Sequence, residues 1–208
     1  MKDKDQIYRN TEEVIYKAIT RGWELGIKDF VIASCTGKTA EIFIEKFEDF
    51  KSENKNKKWF KDSLSNLDSN INLGINLVCV THQVGFNQPN FDEMPQEIRQ
   101  KLAGQGVKLL TSTHLFAGID RALRFQFQGV YPSEIVATTL RMFGQGLKVC
   151  IEISVMAADA GFVKSNTDII AVGGTGIGAD TAIVINPFHS QHFFKSKVKE
   201  IICKPFEF

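Results

Sequence analysis

The stretch DFVIASCTGKTAEIFIEKF, residues 29–47, decides the fold. Its first six residues form a short, nearly continuous apolar run, the signature of a strand buried on both faces of a sheet. A polar turn, Cys-Thr-Gly-Lys, follows. TAEIFIEKF, residues 39–47, then spaces its apolar residues at helical intervals. A buried strand that feeds directly into an amphipathic helix is half of a βαβ unit, so the expectation is a parallel sheet with covering helices.

Outward from that unit the pattern repeats. Residues 10–26 read as a helix. Asn10 or Thr11 can cap it, Glu13 is placed for a reciprocal box with Asn10, and Val14, Ala18, Gly22 and Leu25 share a face with Ile15 and Ile19 beside them. INLVCVTH (75–82) and VKLLTSTH (107–114) are further strands, with a helix over 93–106 between them. Helical segments over 115–126, 132–144 and 147–161 lead to strands at 168–174, 181–187 and 198–205. Only GTGIGAD separates the strands at 168–174 and 181–187, which leaves no room for a crossover helix. That pair must be an antiparallel hairpin. The expected fold is α/β: helices on both faces of a mixed, mostly parallel sheet with an antiparallel hairpin at one edge. One domain spans 1–208, interrupted by a Lys- and Asn-rich surface insertion at about 51–70.

Lys and Arg number 25 against 24 Asp and Glu, for a net charge of +1. No global field draws the chain to nucleic acid or an anionic membrane. No apolar run approaches the roughly 18 residues of a membrane span, and the charged N-terminus lacks a signal-peptide core. A cytoplasmic protein is expected. Cys35, Cys79, Cys150 and Cys203 are widely spaced, with no C-x-x-C pair, and are expected as free, mostly buried thiols.

In sheets of this kind ligands bind beyond the carboxyl ends of the parallel strands. There the turn at 34–39 is not a nucleotide P-loop, because Ile32 stands where that motif needs its first glycine. Thr36, Gly37, Lys38 and Thr39 nevertheless open a helix, whose free amides and positive dipole end favour an anion. Ser34 adds a hydroxyl. The second glycine-bearing turn, AVGGTGIGADTAIVI (171–185), matches dinucleotide-loop spacing from Gly174, but a strand rather than a helix follows it, so a Rossmann reading fails. Its Gly173, Gly174, Thr175 and Gly176 can still form an amide-lined concavity.

Other residues carry weaker chemical signals. His82 and His114 end strands and can act as an acid–base pair, or simply bond to the sheet end. Thr113 accompanies His114. Lys148 and Glu152 are four apart and can pair on one helix face. Gln145 can donate to a ligand, and Asp159 can face the rim or cap a turn. Cys35 near a helix start invites a lowered thiol pKa, although no partner histidine is evident. His189 and His192 lack a nearby carboxylate in the sequence and make a poor metal pair.

Taken together, VIASCTGKTAE, LVCVTHQVGF, TSTHLFAGIDRAL, EIVATTLRMFGQGLKVCIEISVMAADAG and AVGGTGIGADTA resemble the stand-alone relatives of the pyruvate kinase C-terminal domain, the pyruvate kinase alpha/beta domain-like proteins. The resemblance spans nearly all of residues 10–206. It implies a three-layer α/β/α sandwich whose rim binds phosphate, with flavin mononucleotide or another phosphorylated small molecule as the ligand. It implies Thr36, Gly37, Lys38 and Thr39 as phosphate contacts, with Gly173, Gly174, Thr175 and Gly176 closing over them. The insertion at 51–70 is longer than the family pattern. A chain of this length cannot hold the roughly 250-residue barrel that performs kinase chemistry. The alternatives are an enzyme that uses His82, His114, Asp159 or Glu152 for proton transfer, and a homo-oligomeric interaction module.

Overall fold

A computed structural model describes residues 4–57 and 74–207. Six strands form one sheet: β1 (Asp29–Ala33), β2 (Asn76–Thr81), β3 (Lys108–Thr111), β4 (Ile169–Gly173), β5 (Thr181–Asn186) and β6 (Lys197–Cys203), in the order β3-β2-β1-β4-β5-β6. β1 runs parallel to both β2 and β4, and β2 parallel to β3. β4 and β5 form the expected antiparallel hairpin, and β6 adds antiparallel outside it.

The α-helices among the described residues are α1 (Lys4–Glu24), α2 (Lys38–Asn54), α3 (Gln96–Gly104), α4 (Gly118–Phe127), α5 (Pro132–Arg141) and α6 (Gln145–Asp159). α1, α2 and α3 cover one face of the sheet. Their buried Ile15, Ile19, Phe43, Phe47 and Leu102 pack on Phe30, Ile32, Leu77 and Ile170. Strand alternation sends Val31, Val78, Ala171 and Ile183 to the opposite face, where α6 supplies Leu147, Cys150, Ile151 and Ala157. The result is a three-layer sandwich with a core on each side.

Local sequence explains the two decisive helices. In α2 the buried residues Thr39, Phe43, Phe47, Phe50 and Asn54 recur every three or four positions. Phe43 meets Phe30 of β1 edge-on at 5.3 Å between ring centroids. Removing such a ring costs about 3–5 kcal/mol. α6 is apolar almost all round, and a helix of that kind is a buried one. Burial runs along it from Gly146 to Ala158 with Lys148 and Glu152 included.

Boundaries in α1 and α2 differ from expectation in ways that bear on their packing. α1 begins at Lys4, so Asn10 lies inside the helix and accepts from Gln6 Nε2 at 3.0 Å instead of capping it. The polar residues that precede Thr11 hide the first turns from an apolar-periodicity reading. Residues 51–54 complete α2, where Asn54 is buried and donates to the Phe50 carbonyl at 2.7 Å. The part of the expected 51–70 insertion from residue 58 onward lies outside the described residues. No helix among the described residues is long and apolar enough to cross a membrane.

Candidate functional site

The chain winds outward from β1 to β3, then returns through α4, α5 and α6 to place β4 on the other side of β1. β1 and β4 therefore flank the point where the strand order reverses, which opens a crevice at their carboxyl ends. Two adjoining cavities occupy it. The first, about 340 Å³, is lined by Ser34, Thr36, Lys38 and Thr39 on one side and by Gly174, Gly176, Ile177 and Gly178 on the other. The second, about 320 Å³, is lined by His114, Arg121, Arg124, Arg141, Lys148 and Glu152 among others. His82, Phe86, Gln145 and Val149 border both, so the two are lobes of one cleft.

The first lobe joins the two glycine-bearing turns. The amides of Thr36, Gly37, Gly176 and Gly178 meet no acceptor among the described residues. Thr39 is committed differently, because its amide donates to Ser34 Oγ at 3.2 Å. Those two groups mainly close the turn. Lys38 is exposed and has no carboxylate partner among the described residues.

Four of the expected residues line neither lobe. Gly37 caps α2 at φ 91°, in the left-handed region, and a Cβ there would strike Ile98 of α3. Its first duty is packing. Gly173 lies beneath α6, where a Cβ would come within 2.8 Å of the Gly146 carbonyl. The helix can approach the sheet only because that side chain is missing. Thr175 donates its amide to Asp180 Oδ2 at 2.9 Å and lines a different cavity, beside α1. Thr113 is exposed and borders neither lobe.

The second lobe is cationic. Arg124 is paired with Glu134 at 2.9 Å, and Arg141 Nε donates to Gln145 at 2.7 Å. Arg121 packs its guanidinium over the Phe86 ring at 5.3 Å and has no carboxylate partner among the described residues. At the floor Lys148 is bonded to Glu152, and the other Glu152 oxygen accepts the Phe116 amide at 3.0 Å. Burial lowers the Lys148 pKa against the pull of Glu152. Burial likewise holds His114 below its ordinary value. Glu152 opposes this, while His82, Lys148 and Arg121 reinforce it.

His82 and His114 do come together, with ring centroids 5.2 Å apart and the Phe86 ring tilted against His82 at 4.0 Å. His82 Nδ1 is hydrogen-bonded to Glu93, whose second oxygen accepts from Asn87. The expected helix over 93–106 begins only at Gln96, after Pro95. Glu93 is thereby freed to face the histidine. Cys35 lies beside them, and its thiol is pushed up to about 11 by burial and by the Glu93 charge, against a hydrogen bond from the His82 backbone. The helix start does not activate it. Cys79 and Cys150 are buried, Cys35 and Cys203 half-buried, and all four are free.

Asp159 is not at the rim. It ends α6 on the far side, where Oδ1 accepts the Ser190 amide at 3.0 Å and lies 3.3 Å from His189 Nδ1. His189 thus has a carboxylate neighbour that sequence distance concealed. Sequence reasoning missed Glu93 and the three arginines. The available signal for the arginines was α4 itself, which carries Arg121 and Arg124 one turn apart and buries none of its residues.

No protein-family model matches the chain, so the family resemblance rests on the motifs alone.

Proposed function

We propose that this cleft binds a small phosphorylated compound, with flavin mononucleotide as the first candidate. In this reading the chain is a cytoplasmic stand-alone relative of the pyruvate kinase C-terminal domain without the kinase reaction. One observation carries it: the turn at 34–39 and the bend at 174–178 line a single cavity that continues into a lobe rich in arginine.

The chemistry is additive. One helix end stabilises an anion by only about 0.3–1 kcal/mol, so a usable site needs convergence. Here the first turns of α2 and α6 both supply lining residues, and the first turn of α6 holds no acidic side chain to oppose an anion. Unpaired amides and Lys38 add charge-assisted hydrogen bonds worth roughly 1.5–3 kcal/mol each. The phosphate belongs in the first lobe. A polar or anionic remainder belongs beside Arg121, with Phe86 bordering both lobes.

The test is mass spectrometry of small molecules released from purified protein, followed by fluorescence titration with flavin mononucleotide and with riboflavin. The expected result is tighter binding of the phosphorylated form, weakened at least about tenfold by Thr36→Ala or Lys38→Ala, the scale of one lost charge-assisted bond. Millimolar flavin mononucleotide and inorganic phosphate that both leave the melting temperature unchanged would sink the reading.

A second reading, proton transfer on the bound ligand, draws on the depressed His114 and the Lys148–Glu152 pair in the same lobe. It requires a turnover that His114→Ala removes while ligand binding persists. A homo-oligomer is proposed as well, because α4 exposes Ile119, Phe125 and Phe127, and α5 with the residue after it exposes Ile135 and Met142. Sedimentation at several concentrations tests it, and a monomer throughout refutes it.

A further inference from the structure

Three side chains of three different donor types meet at the mouth of the cleft. Cys35 follows β1, His82 follows β2, and Glu93 stands on the loop before α3. One donor atom from each, sulfur, nitrogen and oxygen, lies within 4.8 Å of the other two. We propose that Cys35, His82 and Glu93 form a site for a divalent transition-metal ion of the zinc class, with its fourth coordination position open to the cleft.

Geometry and charge carry this. Metal–ligand bonds of about 2.0–2.3 Å place tetrahedral ligands roughly 3.3–3.8 Å apart, so the cluster closes on an ion with shifts on the order of an ångström. Glu93 keeps only 17% of its side chain exposed. Its partners are His82 and Asn87, with no lysine or arginine pairing it among the described residues. A carboxylate and a thiolate together match a doubly charged cation. The sulfur selects zinc or cobalt over magnesium and calcium.

The surroundings are those of a supported site. The Phe86 ring packs tilted against the His82 ring, and Asn87 holds one Glu93 oxygen. Asp92 accepts from Arg99 Nε at 2.8 Å and from the Met94 amide at 3.0 Å, which anchors the loop that carries Glu93. Such outer contacts orient ligands before the metal arrives. Cys35 and His82 line the first lobe, so an open position would face any ligand held there.

This proposal does not depend on phosphate binding, and its test uses neither phosphate nor flavin. Chelator-treated protein is titrated with cobalt(II). The expected result is one equivalent bound, with a thiolate-to-cobalt charge-transfer band in the near ultraviolet that zinc displaces. Cys35→Ser removes that band, and Glu93→Gln weakens cobalt binding at least about tenfold, the loss seen even for outer contacts. His189→Ala, distant from the cleft, leaves uptake unchanged. Circular dichroism confirms that each variant is folded, and Glu93→Gln remains decisive if Cys35→Ser is not. No charge-transfer band at millimolar cobalt, or cobalt affinity unchanged in a folded Glu93→Gln protein, overturns the site.

Discussion

Lys148 reaches Glu152 one turn further along α6, and both partners of that ion pair are buried. Burying two charges is expensive, and their attraction offsets the cost only when the remaining bonds are made. Glu152 meets this condition through the Phe116 amide, and the Lys148 ammonium also lies 5.3 Å from the Phe116 ring centroid. Lys148→Met should therefore destabilise the protein by about 3–5 kcal/mol, because it leaves the carboxylate buried and uncompensated. The double variant Lys148→Met with Glu152→Gln should be more stable than that single one, since glutamine still accepts the Phe116 amide. Urea unfolding of the four proteins measures the coupling. Strict additivity would mean that the pair is solvated.

Gly37 provides a second stability prediction. Its φ of 91° and the nearness of Ile98 mean that alanine is opposed twice. The backbone alone contributes about 1–2 kcal/mol, and overpacking adds to that. Gly37→Ala should lower stability with no ligand present. Ile98→Ala in the same protein should return only the packing part. A Gly37→Ala protein as stable as wild type would contradict the left-handed cap.

Asp168 links the start of β4 to β6. Lys199 Nζ bonds it at 2.7 Å and Asn186 Nδ2 at 2.8 Å, and these two bonds hold its carboxyl below the usual value. A depressed carboxylate contributes stability above its unfolded pKa of about 3.9 and loses it as pH falls through the folded value. Asp168→Asn should thus cost stability near neutral pH, modestly because Asp168 is 34% and Lys199 49% exposed. The difference from wild type should shrink below about pH 4. A gap that stays constant from neutral pH to strongly acidic conditions would count against the ion pair.

How far the sequence reaches follows from what each residue touches. The strands and their mixed pairing are legible because DFVIAS and GTGIGAD are local signals: burial on two faces, and a connection too short to cross over. The meeting of residues 34–39 with 174–178 is legible for the same reason, since both turns follow parallel strands that must end on one side. In the sequence Thr11 offers only a cap. It is fully buried, and its hydroxyl takes the Ala179 amide at 2.9 Å across 168 residues of chain. No local pattern encodes that contact. Glu93 escaped because Pro95 shifts the helix start beyond it, and that proline was the available clue. Gly173 looks like a ligand residue in sequence, but its space is filled by α6, which only the three-dimensional packing reveals.

Arg121 gives the sharpest test of the cleft. Its guanidinium lies 5.3 Å from the Phe86 ring centroid and 6.0 Å from that of Phe125, while Arg124 beside it is already paired with Glu134. Arg121 is therefore preoriented, and no carboxylate among the described residues takes up its charge. Arg121→Ala should weaken flavin mononucleotide binding at least about tenfold, one charge-assisted hydrogen bond. It should also flatten the decline of affinity with added salt, since a half-exposed charge is still screened, over roughly 10 Å at 0.1 M. Arg121→Lys should not restore binding, because a compact ammonium can neither stack on Phe86 nor donate as a planar fork. Folding stability should change by no more than about 0.5 kcal/mol, the range for a surface substitution. Titrations at two salt concentrations separate the outcomes. Unchanged affinity with an unchanged salt slope would confine the ligand to the first lobe and leave the arginine-rich lobe without a part in binding.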